Sequence, residues 1–201
     1  MAACARSGGS DSELAPTAAP LASFASVRMI ALPVQSLRGG DSLGWSARIG
    51  EPRRYLATLD SVFASVLRDR GLGEMWSFPD DLSRTARRNP TYASDPATIR
   101  AGDAVRAMER RRGSDIPEPV ATQLRVLGGF HDARYALIPV ELRFERGLTS
   151  GGRAMLYMAV LDVRASRLAW SGFVSGSDHP DLGPSIPVDL ATRFADLVVS
   201  R

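Results

Sequence analysis

The chain has 201 residues, 44% of them hydrophobic and 23% charged, a balance that supports one packed core and excludes global disorder. Its net charge of +3 is too small to imply a nucleic-acid partner. A single cysteine excludes an intramolecular disulfide and a cysteine-built zinc site, and no apolar run reaches the roughly 18 residues a transmembrane helix needs.

The lone cysteine is Cys4, directly after Ala2-Ala3. Bacterial lipoprotein signals end in such a small-residue box before the cysteine that takes the lipid. Met1 stands where leucine is usual, and the basic and apolar regions of a signal do not precede it, so the true start is expected upstream or the sequence is trimmed. Ala5 follows the cysteine in place of the aspartate that retains lipoproteins at the inner membrane, so sorting to the periplasmic face of the outer membrane is expected. Residues 1–25 then read as a lipobox-like start and a Ser-, Gly-, Ala- and Pro-rich tether. The alternative is a cytoplasmic protein with an incidental cysteine.

From residue 26 the pattern changes to a single folded domain, 26–201. "SVRMIALPV" (26–34) reads as a buried strand, and 35–53 as a loop. In "RYLATLDSVFASVLRDRG", Tyr55, Leu56, Leu59, Val62, Phe63, Val66 and Leu67 share a helix face; Arg68, Arg70 and Gly71 suit its C-terminal end. "EMWSF" (74–78) reads as a short strand. Asp80 is expected to cap a two-turn helix ending before Asn89-Pro90. Residues 82–117 are expected to be an irregular, Arg-rich segment, with "AVRAMERRRG" a possible short helix.

A further helix starts at Pro119, carries Val120, Leu124 and Leu127, and is expected to end at Gly128-Gly129. Three strands follow: "YALIPVELRFE", "GGRAMLYMAVLDVRA" and "RLAWSGFVSG", the last two joined as a hairpin at 164–167. An amphipathic helix through Leu190, Phe194, Leu197 and Val198 closes the chain. The early strand–helix–strand unit is expected to be parallel and the late strands antiparallel. The fold class is α/β: a mixed parallel/antiparallel sheet covered by amphipathic helices, in two or three layers.

Few residues point to chemistry. His131 precedes a strand, and His179 lies in "SDHPD"; a loop histidine between aspartates is usually a solvated turn, and a metal site needs three or four ligands. "GFVSG" lacks the spacing of a nucleophile elbow, "GLG" (71–73) is no dinucleotide fingerprint, and Asp80-Asp81 reads as a helix cap. No catalytic residue, metal or cofactor is expected. A small hydrolase using His131 or His179 is the less favoured reading.

The remaining feature is charge. Residues 82–114 carry eight arginines against three acids, densest at Arg110, Arg111 and Arg112. Arg87, Arg88, Arg106, Arg110, Arg111 and Arg112 are the candidate contacts with an envelope protein or an anionic envelope polymer. The aromatics of a nucleic-acid stacking platform are not interleaved there, and no small-molecule substrate is expected.

The order of elements, with "IALPV" in the first strand, "LRDRGL" closing the long helix, "ARYALIPVEL" opening a strand and "AVLDVRASRLAWSG" across a hairpin, resembles a family of bacterial envelope domains. It includes the N-terminal domain of TolB-type periplasmic proteins, the penicillin-binding-protein activator lipoproteins and the curli secretion lipoprotein. The resemblance spans residues 26–199 and departs most at 80–130, so no family partner carries over. It implies that Asp162 supports the hairpin turn, that Trp170 packs on the sheet, and that the chain is a non-catalytic lipoprotein adaptor or assembly part. The alternative is a soluble accessory subunit without lipid.

Overall fold

The computed structural model describes residues 21–111, 115–148 and 151–199. Strand β1 (Met29–Ala31) is followed by a short helix α1 (Trp45–Arg48), the long α2 (Pro52–Asp69) and β2 (Trp76–Ser77). Three helices, α3 (Pro79–Arg88), α4 (Ala101–Arg111) and α5 (Val120–Phe130), lead to β3 (Tyr135–Arg146), β4 (Gly152–Asp162), β5 (Arg167–Ser175) and α6 (Ser185–Val198). The sheet order is β2-β1-β3-β4-β5. β1 pairs parallel with β2 and β3, whereas β3–β4 and β4–β5 are antiparallel. The fold is therefore a mixed-sheet α/β sandwich, in three layers.

Alternation along the strands sends side chains to two cores. On one face Leu137, Leu142, Phe144, Leu156, Met158 and Val160 meet α2 and α6. On the other, Ala136, Ile138, Val140, Ala159 and Leu161 meet α3, α4 and α5. The apolar stripe of α2 buries Leu56, Leu59, Phe63 and Leu67, with Tyr55, Val62 and Val66 at its margins. Phe194 of α6 sits fully buried near Phe63 and Trp76, at ring-centroid distances of 6.1 and 6.3 Å. Pro139 is tolerated within a central strand because a bulge lies beside it: Pro139 faces Met158 and Glu141 faces Tyr157, leaving Val140 as the extra residue.

Several boundaries differ from expectation. Residues 21–25 belong to the folded body: Leu21 is buried and donates its N–H to the Leu197 carbonyl, and the Phe24 carbonyl accepts from Trp76 Nε1. The loop 35–53 contains α1, held by Asp41, whose carboxylate accepts the amides of Leu43, Trp45 and Ser46. Asp81, not Asp80, caps α3. Pro79 occupies the first helical turn, so Asp81 stands where its carboxylate reaches back to the Phe78 N–H at 3.1 Å. The segment 82–117, expected to be irregular, holds the end of α3 and all of α4, because Ala101, Ala104, Val105 and Met108 form a buried stripe of mostly small residues. Helix α5 runs through Gly128-Gly129 to Phe130, where the Ala133 N–H returns to the Gly128 carbonyl.

Candidate functional site

The chain moves from β1 to β2 through α2 on one face, then passes back over β1 through α3–α5 on the other face to reach β3. This reversal beside β1 is a topological switch point, where open α/β sheets form a crevice beyond the carboxyl ends of their strands. A cleft of about 490 Å³ lies there. Pro33, Val34 and Gln35, just after β1, form its floor; Arg53, Leu56, Ala57 and Asp60 of α2 form one wall; Ala97 and Thr98 form the other. An adjoining groove continues past Ser36 to Arg100, just before α4, and to Asp103 and Arg106 of α4.

Asp60 is the polar centre of this cleft. One carboxylate oxygen accepts the Val34 N–H at 2.9 Å. Burial pushes its pKa up to about 7 and the nearby Asp80 charge acts in the same direction, while the Val34 amide opposes both. Sequence reading missed Asp60. Its signal was its place on the flank of the apolar stripe, four residues after Leu56 and three before Phe63.

The candidate arginines divide into two groups. Arg106 is committed internally, with its guanidinium 2.7 Å from Glu141 and 3.1 Å from Ser36 Oγ. Arg87 and Arg88 in the last turn of α3, and Arg110 and Arg111 in the last turn of α4, are exposed. None of these four has an acidic side chain within ion-pair distance among the described residues; their position at the negative helix ends accounts for their presence electrostatically. Arg112 and Cys4 lie outside the described residues.

The histidines lie at separate places. His131 Nε2 is 3.0 Å from Thr85 Oγ1; burial lowers its pKa and the Asp81 charge opposes this. His179 Nδ1 is 3.3 Å from Ser185 Oγ, and its Nε2 is 3.6 Å from Asp189. This Ser–His–Asp grouping is not assembled as a relay. The Nε2–Asp189 contact is too long for a hydrogen bond, and Asp189 already accepts from the Ser177 N–H and hydroxyl. Among the described residues, no three His, Cys, Asp or Glu side chains gather as a metal site.

At the hairpin, Asp162 is 2% exposed. It accepts the Ala165 N–H at 2.9 Å and two bonds from the Arg134 guanidinium, at 3.0 and 2.8 Å. Burial alone would raise its pKa, but the Ala165 and Arg164 amides and Arg134 outweigh it and hold the carboxyl below its ordinary range. Trp170 stands opposite Val160, half-buried against the α2/α6 side of the sheet.

No family model matches the chain, and no curated protein does. Among solved structures, the chain is similar to the PelC dodecamer from Paraburkholderia phytofirmans, with 12% identity, a TM-score of 0.42, and coverage of 92% of this chain and 96% of that one. It is also similar to the LpoB C-terminal domain from Escherichia coli, with 13% identity, a TM-score of 0.35, and coverage of 76% and 83%. The NMR structure of E. coli LpoB matches with 12% identity, a TM-score of 0.37, and coverage of 89% and 82%.

Proposed function

We propose that this chain is a non-catalytic interaction module of the bacterial cell envelope, anchored through lipid on Cys4 at the periplasmic face of the outer membrane. The observation that carries the interaction is the set Arg87, Arg88, Arg110 and Arg111: exposed guanidinium groups on two helices of one layer, with no acidic side chain within ion-pair distance among the described residues. A planar guanidinium without an internal partner is suited to carboxylate or phosphate on another molecule. The occupant is an acidic envelope protein or an anionic envelope polymer. Support for the anchor is Ala2-Ala3-Cys4 and the small, polar composition that follows it.

Charge reversal tests the surface. Arg110→Glu with Arg111→Glu, in the full chain, is expected to reduce capture of envelope components while costing about 1–2 kcal/mol, or about 2–8 °C in melting temperature, for reversed charge at the exposed end of α4, so that the domain stays folded. Unchanged capture overturns the assignment of this surface. The anchor is tested by metabolic labelling with a fatty-acid analogue in a Gram-negative host, using the gene with its own upstream region. Label lost in Cys4→Ser supports it; an unlabelled wild-type protein in the soluble fraction favours an accessory subunit without lipid.

A further inference from the structure

We propose that the cleft at the carboxyl end of β1 binds a small zwitterion of dipeptide size, with its ammonium group on Asp60 and its carboxylate on Arg53. This goes beyond the docking role of the arginine surface and does not depend on it.

The argument rests on how charge is arranged around the cleft. Asp60 accepts one hydrogen bond, from the Val34 amide, and lines the cleft wall. Asp80 adds a second negative charge close enough to disfavour ionisation of Asp60. A cation entering the cleft beside Asp60 stabilises its ionised form against the burial, and the smaller effect of the Asp80 charge, that disfavour it, whereas an anion would add to both. The other charged groups in the cleft and the adjoining groove are Arg53 of α2, Arg100 just before α4, and Asp103 and Arg106 of α4. Arg100 is engaged by Asp103 at 2.7 Å, and Arg106 by Glu141 at 2.7 Å. Arg53 is exposed at the rim, with no acid within ion-pair distance among the described residues.

Spacing sets the ligand's length. Arg53 and Asp60 are seven residues apart on α2, two turns along one face, or about 10 Å. That rise is between backbone positions; an extended dipeptide of about 7 Å with a hydrogen bond of about 2.8 Å at each end spans about 12–13 Å, and the long side chain of Arg53 at the rim takes up the difference. Between the two charges lie Val34, Leu56, Ala57 and Ala97, an apolar lining for small side chains.

The test is calorimetric titration of the full chain with alanylalanine and with its N-acetyl form. Saturable binding is expected at pH 7, weakened about tenfold or more by N-acetylation and by Asp60→Asn, since each removes one charge-assisted bond. Arg53→Gln weakens the free dipeptide similarly. An ammonium on Asp60 favours its ionised form, so binding near pH 7 releases a proton, and the heat varies with the buffer's ionisation enthalpy in wild type but not in Asp60→Asn. The acetylated and free dipeptides compared on the wild-type chain keep the test independent of how the variants fold. Equal affinity of the two, or no binding at millimolar concentration, overturns the proposal.

Discussion

Arg106 reaches across from α4 to Glu141 on β3, at 2.7 Å, and its guanidinium also meets Ser36 Oγ at 3.1 Å. Helix, sheet and the segment after β1 are joined at one guanidinium. Glu141 is only 14% exposed at its side chain and pairs with Arg38 as well, at 3.1 Å. Removing Arg106 leaves a largely buried carboxylate short of a partner, so Arg106→Ala is expected to cost about 2 kcal/mol, or about 4–8 °C in melting temperature. The same variant should weaken partner capture less than reversal of Arg110 and Arg111. Thermal unfolding and a pull-down side by side check this; a variant that melts like wild type but fails in capture would return Arg106 to the docking surface.

Asp162 gives an acid-sensitive contribution with a defined sign. Its folded pKa is depressed below the ordinary 3.8, so its stabilisation is present above the unfolded pKa and is lost as pH falls through the folded value. Asp162→Asn keeps the shape but not the charge. It is expected to destabilise by about 1–3 kcal/mol at pH 7, with the gap to wild type closing below about pH 4. Urea unfolding of both chains from pH 3 to 7 measures the gap. A difference that stays constant across that range would mean that the carboxylate's charge does not contribute.

Asp60 has the opposite sign. Its folded pKa is raised to about 7, so the folded state holds an extra proton between the unfolded value, near 3.8, and about 7. Stability from this source is fully present below the unfolded pKa and declines as pH rises through the folded one. Asp60→Asn should therefore gain on wild type as pH goes from 5 to 8, on the order of 2 kcal/mol, less than the whole shift implies because the carboxyl borders an open cleft. Parallel stability curves for the two chains would refute it.

The parts of the fold legible in the sequence are those with strong periodicity. The stripe of α2 from Leu56 to Leu67, the alternation of Val140 to Glu145 and the close of α6 through Phe194 each report a face buried along its length. Helix α4 was obscured because Ala101, Gly102 and Ala104 bury little apolar surface, and the arginines around them dominate the composition. Asp80 was preferred to Asp81 as a cap because sequence alone does not reveal that Pro79 already starts the helix. The cleft was not legible at all. It is assembled from residues 33–35, 53–60 and 97–98, which become neighbours only when the chain reverses its winding beside β1.

Gly151 tests the join between β4 and the segment before α6. Its φ is +72°, and a Cβ there would lie 2.0 Å from the His179 carbonyl oxygen. That carbonyl accepts the Gly152 N–H at 2.9 Å, while the His179 N–H returns to the Gly152 carbonyl at 2.7 Å. Gly151→Ala forces these two strands of backbone apart, adding two lost hydrogen bonds to the left-handed penalty, about 3 kcal/mol in all. Gly40 is the control: its φ is +76°, with open space where a Cβ would stand, so Gly40→Ala should cost only the conformational part, about 1 kcal/mol. Denaturant unfolding of both variants measures the difference, and hydrogen exchange at Gly152 and His179 should quicken only in Gly151→Ala. Equal costs for the two alanines would show that the bridge at His179 contributes nothing beyond the backbone conformation of its glycine.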